Sequence, residues 1–378
     1  MHLRHLTLEN FRCYERAEFD FPPGLTVALG PNASGKTTVL EALYLLATTT
    51  SPRTGNWRQM MRRGQSWARV TGLFERDGTA LSLRVLLGDL AEGGSGKTLE
   101  VDGRRVTSAR EVVGRVQVVL FWVGELEVVK GAPAERRRFL NQALGQLSPR
   151  HLDDLARYRR ALRQRNEVLR SLADGRQASG LNGRQLAPWT HALVEAGSAI
   201  TLDRAGYVAA LAAEAAPLHR RLGAGVEELS VAYRPSVPLA GDAPTEEDVA
   251  AAFYEVLEAR QSDELARGVT LVGPHRDDVA LKVGGIDLRR YGSQGQQRTA
   301  ALALTLAQAR VARVRAQTEP ILLLDDCLSE LDASRAGAML DLSADHDQMI
   351  VTSACCPEPL AGRLADAHLI QTGECACP

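Results

Sequence analysis

The chain has 378 residues, more than twice the usual span of one domain, so one large or two medium domains are expected. Apolar residues make up 45% and charged residues 24%, an ordinary globular composition that excludes disorder over most of the length. A formal net charge of −1, from 45 basic against 46 acidic residues, excludes a generally polycationic nucleic-acid binder but not a local basic patch. The longest aliphatic run, Ile321 to Leu324, is far short of the roughly 20 residues that cross a bilayer, so no membrane partner is expected. The first residues lack the apolar core of a signal peptide. Cys13 and Cys327 are isolated, Cys355 and Cys356 adjacent, and Cys375 and Cys377 sit in a tail. They form neither a zinc spacing nor a disulfide framework, which reads as a reduced, cytoplasmic setting.

Residues 2–9 alternate around Leu3, Leu6 and Leu8, and Ala17 to Phe21 alternates again, as strands do. After the turn Pro22-Pro23-Gly24 comes a buried-strand run, Leu25 to Leu29. A glycine-rich loop is next, then Val39, Leu40, Leu43 and Leu46 at helical spacing. The loop, Gly30-Pro31-Asn32-Ala33-Ser34-Gly35-Lys36-Thr37, fits G-x-x-x-x-G-K-[ST] at every fixed position, and its place between strand and helix is the context that confirms the match. Its glycines let backbone N–H groups curl around phosphates, and the helix start adds partial positive charge. Lys36 is expected on the β- and γ-phosphates and the Thr37 hydroxyl on Mg²⁺. A second Gly-Lys-Thr, at Gly96-Lys97-Thr98, has Ala91 where the first glycine belongs and a strand and turn after it, so it reads as a hairpin connection.

Several short strands are predicted from about 68 to 122, with Asp77-Gly78 and Asp102-Gly103 as hairpin turns. Near Pro133 the texture turns helical. Leu155, Tyr158, Leu162, Leu169 and Leu172 share one seam, interrupted by Arg165; Ser171 to Gly183 breaks the helix, and a second one runs from about Trp189 to Leu222. The two make an antiparallel helical arm. A helix over 245–266 closes the region, stopped by Gly268, and strand texture resumes at Val269 to Val272. From Glu135 to Arg170 there are ten arginines against four acids, a local charge of +6 with His151 uncounted. Arg157, Arg160 and, one turn on, Arg163 or Arg165 are candidates to meet backbone phosphates of DNA; Tyr158 reads as packed in the seam rather than stacked on a base.

Two further features complete the site. Ile321 to Leu324 is a buried strand ending in Asp325 and Asp326, which places Asp325 for Mg²⁺ and Asp326 to orient or deprotonate the attacking water. Upstream, Tyr291-Gly292-Ser293-Gln294-Gly295-Gln296-Gln297-Arg298 opens an alanine- and leucine-rich helix with Ser293 as N-cap, so its hydroxyl and the Gly295 N–H form a second anion site.

The order of phosphate loop, Ser-x-Gly-Gln helix start, Leu-Leu-Leu-Asp-Asp and Ser329-Glu330-Leu331-Asp332 resembles the ABC-type ATPase heads. Asn10-Phe11-Arg12-x-Tyr14, Glu135-Arg136-Arg137-Arg138-Phe139-Leu140 and Gly273-Pro274-His275-Arg276-Asp277-Asp278 narrow the resemblance, over nearly the whole chain, to the bacterial RecF family. The resemblance implies an α/β fold, an ABC-type head of mixed sheets around the phosphate loop with an inserted, mainly helical second lobe: 1–132 and 268–378 as the head, 133–267 as the arm. It implies a slow ATPase working with ATP and Mg²⁺ as an ATP-dependent homodimer. Ser293, with Gly295 and Gln296, would reach the γ-phosphate held by the opposite subunit; Asp332 would line the interface and Arg12 lie near the phosphates. Double-stranded DNA and single-strand/double-strand junctions are the implied partners, with RecR, and with RecO and RecA in the pathway. Two positions depart from the family pattern. Phe121-Trp122-Val123-Gly124-Glu125-Leu126 stands where the family reads Phe-x-Pro-Glu-Asp-Leu, and Val351-Thr352-Ser353-Ala354 takes the place of the ABC switch histidine. Alternatives are a transporter's ATPase subunit, which predicts a shorter gap than the about 255 residues between Lys36 and Ser293, and an ATP-gated nuclease, which needs a further acidic metal domain.

Overall fold

The structure is a computed structural model and describes residues 1–90, 94–173, 185–223, 227–241, 243–328, 331–344, 346–354, 358–364 and 367–372. Its N-terminal third builds an antiparallel sheet, ordered β2 (Tyr14–Asp20), β1 (His2–Phe11), β4 (Trp67–Arg76), β5 (Thr79–Leu90), β6 (Gly94–Val101) and β7 (Arg104–Val106). Both predicted hairpins form at their Asp-Gly pairs: Asp77 and Gly78 take φ 51° and 74°, Asp102 and Gly103 φ 50° and 75°, the left-handed pair that matches strand twist. Gly96-Lys97-Thr98 lies in β6 itself, paired with β5, rather than in the connection; Lys97 Nζ donates to the Thr49 carbonyl at 2.5 Å.

A parallel sheet, ordered β14 (His368–Gln371), β3 (Gly24–Leu29), β13 (Gln348–Ser353), β12 (Ile321–Asp325) and β8 (Val118–Phe121), forms the centre. Alternate side chains of a strand face opposite ways. Ile321 and Leu323 accordingly join a core with α1 (Lys36–Thr48) and the antiparallel sheet, while Leu322 and Leu324 join one with α3 (Pro133–Leu147), α5 (Leu186–Leu222), α9 (Gln294–Ala316) and α10 (Ala333–Ser343). Because the strands are parallel, the carboxyl ends of β3, β13, β12 and β8 open on one edge, the usual ligand side of such sheets. Short helices α2 (Leu126–Lys130), α8 (Leu288–Tyr291) and α11 (Glu358–Ala361) complete this part.

The arm pairs α4 (Pro149–Ala173) with α5; contacts His151–Asp203, Arg157–Glu195 and Arg165–Thr190 run in opposite senses, so the helices are antiparallel. Most of the break expected at Ser171 to Gly183 lies outside the described residues. The helix expected over 245–266 is two, α6 (Glu246–Ala259) and α7 (Gln261–Arg267), parted at Arg260. A Thr245–Asp248 capping box starts the first, and buried Glu264, ion-paired to Arg165 on α4, fixes the second. Gly268 ends α7 at φ 66°, its N–H on the Glu264 carbonyl. Val269 to Val272 is not a strand; Thr270 and Leu271 donate their N–H groups to Asn166 and Glu264 side chains instead. A third sheet orders β11 (Ile286–Asp287), β10 (Asp278–Val283) and β9 (Leu229–Arg234). Its β9 lies within the 133–267 span and pairs with β10 beyond it, so the sheet ties the arm segment to the C-terminal part of the chain.

Candidate functional site

The phosphate loop leaves β3 and enters α1 through a chain path that only small residues permit. Gly35 has φ 97°, and a Cβ there would lie 2.5 Å from the Tyr14 hydroxyl; a Cβ on Gly30 would lie 2.7 Å from Thr372 Oγ1 and 2.8 Å from Ser34 Oγ. Ala33 is also left-handed, at φ 67°. Ser34 Oγ and Thr372 Oγ1 are hydrogen-bonded at 2.8 Å, so the end of β14 braces the loop. No side chain caps α1; the Thr38 N–H is taken by the Gly35 carbonyl at 2.9 Å, and the uncapped helix start turns its partial positive charge toward an anion. Lys36 folds back onto the Gly30 and Pro31 carbonyls at 2.6 and 2.7 Å.

The acidic strand reaches this loop, though not by direct adjacency. β13 lies between β3 and β12, and Thr352 at its end spans the gap. Asp325 Oδ1 accepts from Thr37 Oγ1 at 2.8 Å and from Thr352 Oγ1 at 2.7 Å. Burial raises the Asp325 pKa, against the lowering pull of those two hydroxyls. Asp326 sits one residue on at φ 47°, its N–H donating to the Thr352 carbonyl and hydroxyl. The buried Thr352 hydroxyl is thus committed to the two aspartates, not offered to a γ-phosphate. Ser353 is buried as well.

A cavity of about 640 Å³ opens over the loop, lined by Asn32, Ala33, Gly35, Lys36, Thr37, Arg12 and Asp326. Arg53, Arg62, Arg63 and Gln59, which sequence reasoning missed, line it too. No motif marks them; they arrive on the segment after α1. Five cations against one carboxylate line the wall; Glu41 behind it pairs Arg12 and Arg53, and Glu15 pairs Arg62, which still leaves a basic surface, as a polyphosphate requires.

Ser293 caps α9 as expected: its hydroxyl accepts the Gln296 N–H at 3.2 Å and Gln296 Oε1 accepts the Ser293 N–H at 2.9 Å. Gln296 also donates to Glu227 at 2.7 Å, so its amide is tied within the chain. Ser293 and Gln294 are exposed and Ser293 does not line the cavity, whereas Arg298, one turn on, shares a small pocket with Asp325 and Asp326. Asp332 is the exposed N-cap of α10, bonded to the Arg335 N–H at 2.9 Å. Ser329 and Glu330 lie outside the described residues.

Residues 2–356 match the family described as RecF/RecN/SMC N terminal domain. The chain is 40% identical to the DNA replication and repair protein RecF of Roseiflexus castenholzii, over 94% of this chain and 93% of that protein, and 39% identical to that of Chloroflexus aurantiacus with the same coverage. The chain belongs to the RecF family. A solved structure of the recombination mediator protein RecF with ATP, from the RecFOR pathway, superposes with a TM-score of 0.85 at 27% identity, covering 94% of this chain and 92% of that one. An Smc head, at 14% identity and a TM-score of 0.53, shares the fold.

Within this RecF-family chain, the motifs outside the nucleotide cavity are mostly structural. Asp277 is buried and accepts from Tyr233, from the Ser236 N–H at 2.8 Å and from Arg204 at 3.3 Å; Asp278 is paired to buried Arg136 at 2.6 Å. Gly-Pro-His-Arg-Asp-Asp therefore knots β10 to α3 and α5. At the atypical Phe121–Leu126 segment, Glu125 is pushed up to about 7, chiefly by burial, with Arg138 and a hydrogen bond from Trp122 opposing.

The arginine excess shrinks on folding, because Glu195, Glu246 and Glu264 bring carboxylates from outside the counted stretch. Arg165 is buried, paired to Glu264 at 2.7 Å and bonded to Thr190 and Thr270, so it leaves the candidate DNA face. Arg157 is paired to Asp154 and Glu195, and Arg150 to Glu246. Arg160 and Arg163 are exposed and pair with no described residue. Tyr158 is packed, as expected, its hydroxyl 2.6 Å from His275 Nδ1.

Proposed function

We propose that the chain is an ATP-dependent DNA-binding protein of recombinational repair. Two copies close over ATP and clamp DNA at gaps or junctions, hydrolysis is slow, and with RecR and RecO the clamp promotes loading of RecA in the cytoplasm. The observation that carries this reading is the contact of Thr37 with Asp325, which brings phosphate loop and acidic strand to one point beneath a basic cavity.

The hydroxyl and carboxylate are hard oxygen donors, a set that fits Mg²⁺, whose role is to neutralise charge on the β- and γ-phosphates. Lys36 exchanges its two carbonyl partners for phosphate oxygens, and Arg12 and Arg53 face the same anion. Asp326 accepts the proton of the attacking water. Thr352 holds both aspartates in register. Ser293 is exposed and off the cavity wall, which supports its acting on ATP bound by the other copy, with Gly295, Gln296 and Asp332 at the interface. Completion of the site by a second chain keeps turnover slow. Residues 1–132 and 268–378 act as the head and 133–267 as the arm. Arg160 and Arg163, with Arg157, meet the DNA backbone. Family membership speaks against the transporter subunit.

Gel filtration with and without ATP tests the dimer: wild type shifts to twice the mass with ATP, Ser293→Arg does not. A wild type that stays monomeric with ATP bound defeats the reading. Asp326→Asn should still bind ATP and dimerise but not hydrolyse.

A further inference from the structure

A second cavity, about 850 Å³, is larger than the one over the phosphate loop. It lies between the segment after α1, helices α3 and α4, and the Pro274-His275 turn. Arg53, Arg137, Arg138, Arg159 and Arg204 line it, and no aspartate or glutamate does. Three of these arginines have carboxylates outside the lining: Glu41 for Arg53, Glu135 for Arg138 and Asp277 for Arg204. Arg204 is 2% exposed and its Nε has no hydrogen-bond partner among the described residues. Arg159 is exposed and pairs with no described residue. Burial, and then neighbouring Arg204, lower the Arg137 pKa, the mark of cations crowded together. The remaining wall is largely apolar, with Val113, Leu152, Leu155 and Leu162.

We propose that this cleft holds a short stretch of single-stranded nucleic acid, phosphates on Arg137, Arg138 and Arg159 and bases against the leucine wall. Such grooves combine cationic tracking of the backbone with apolar and guanidinium contact to base faces. A duplex keeps its base faces stacked inside, so it could lay only phosphates on the arginines and would leave the leucine wall uncovered. A bare phosphate would leave the leucine wall uncovered, and an acidic peptide has no flat apolar faces to lay on it. The inference rests on the DNA-binding reading above and assigns the single-stranded side of a junction to the cleft that borders the Arg160–Arg163 face, with Arg159, one helical turn from Arg163, at the rim between them.

The test is fluorescence anisotropy on the full chain with ATP, using a dye-labelled short oligothymidylate and, separately, a labelled duplex. Arg159→Glu removes an exposed cation, and Ala109→Trp fills the mouth from an exposed position. Each should weaken single-strand binding by about tenfold or more and leave ATP affinity unchanged; Arg159→Glu should also flatten the salt dependence of strand binding, and Ala109→Trp, which touches no charge, should leave duplex affinity unchanged. Unchanged single-strand affinity in both variants, or equal losses for strand and duplex in Ala109→Trp, overturns the assignment. Competition by polyglutamate or a free mononucleotide as strong as by the strand overturns it too and gives the cleft to that ligand. A wild type that binds duplex but no single strand sinks this inference alone; one that binds neither sinks the DNA-binding reading with it.

Discussion

The carboxylate of Glu41, fully buried on α1, grips Arg12 with both oxygens, Oε1 2.5 Å from Nη2 and Oε2 2.9 Å from Nε. The same carboxylate accepts the Ser51 hydroxyl at 2.5 Å and faces Arg53 at 3.4 Å, while Arg12 donates to the Gln59 carbonyl at 2.5 Å. One buried acid therefore places two of the cations that wall the nucleotide cavity. Removing Glu41 strands Arg12 at 19% and Arg53 at 43% side-chain exposure, so water takes up part of the loss and the cost is about 1–3 kcal/mol. Glu41→Ala should lose stability on that scale in urea unfolding and weaken ATP binding, and Glu41→Gln should recover part of both. Unaltered ATP affinity in Glu41→Ala would show that Arg12 and Arg53 need no such anchor.

Gly35→Ala tests the loop itself. The new Cβ meets Tyr14 and a φ of 97°, so a loss of about 1–3 kcal/mol and of ATP binding is expected. Tyr14 is itself buried in the core, so Tyr14→Ala alone is the reference: in that background Gly35→Ala should cost less than in wild type, because the space is cleared, but still cost stability, because the backbone strain remains. A Gly35→Ala that costs nothing in the Tyr14→Ala background would mean that crowding alone demands glycine there.

Thr352→Val keeps the shape at the end of β13 and deletes the hydroxyl shared by Asp325 and the Asp326 N–H. ATP hydrolysis should slow by about tenfold or more while ATP affinity changes little, since phosphate contacts are elsewhere. Equal turnover in the variant would reduce Thr352 to filler between two strands.

What is legible in the sequence is what local chain geometry dictates. Gly30 to Thr37 announces itself because loop, lysine and helix start are contiguous, and Asp77-Gly78 because a tight turn needs both residues left-handed. Thr372 bracing Ser34 from 338 positions away leaves no such trace. Thr352 stands in the place of the switch histidine, and its role comes from β13 lying between β3 and β12, a matter of strand order rather than of motif. The same holds for Arg53, Arg62 and Arg63, which reach the cavity on a segment with no periodic pattern of its own.

His275 carries a pH signature. Its Nδ1 accepts from the Tyr158 hydroxyl at 2.6 Å and its Nε2–H donates to the Thr270 carbonyl at 3.1 Å, an arrangement that suits the neutral ring. Burial lowers its pKa to about 4. Below about 6.5 the unfolded chain takes up a proton that the folded chain refuses until about pH 4, so stability falls as pH drops through that window. The fall in unfolding temperature from pH 7 to pH 5 should be smaller in His275→Gln than in wild type. An identical fall in both would show that this ring does not carry the acid sensitivity.

Arg163 and Arg165 sit two residues apart and are equivalent candidates for phosphate contact in the sequence, yet folding sends them to opposite fates. Arg165 is 4% exposed and holds Glu264, Thr190 and Thr270, tying α4 to α5 and α7, because its partner arrives 99 residues later in sequence. Arg163 faces solvent. Arg165→Ala should destabilise the chain by about 3–5 kcal/mol, as an uncompensated Glu264 is left inside, whereas replacing both partners by apolar residues of similar size should restore much of that loss. Arg160→Glu with Arg163→Glu should leave the unfolding midpoint within about 0.5 kcal/mol of wild type yet weaken duplex binding and lower its salt slope. If the exposed pair proves silent in DNA binding while Arg165→Met weakens it at unchanged stability, the assignment of the two faces is reversed.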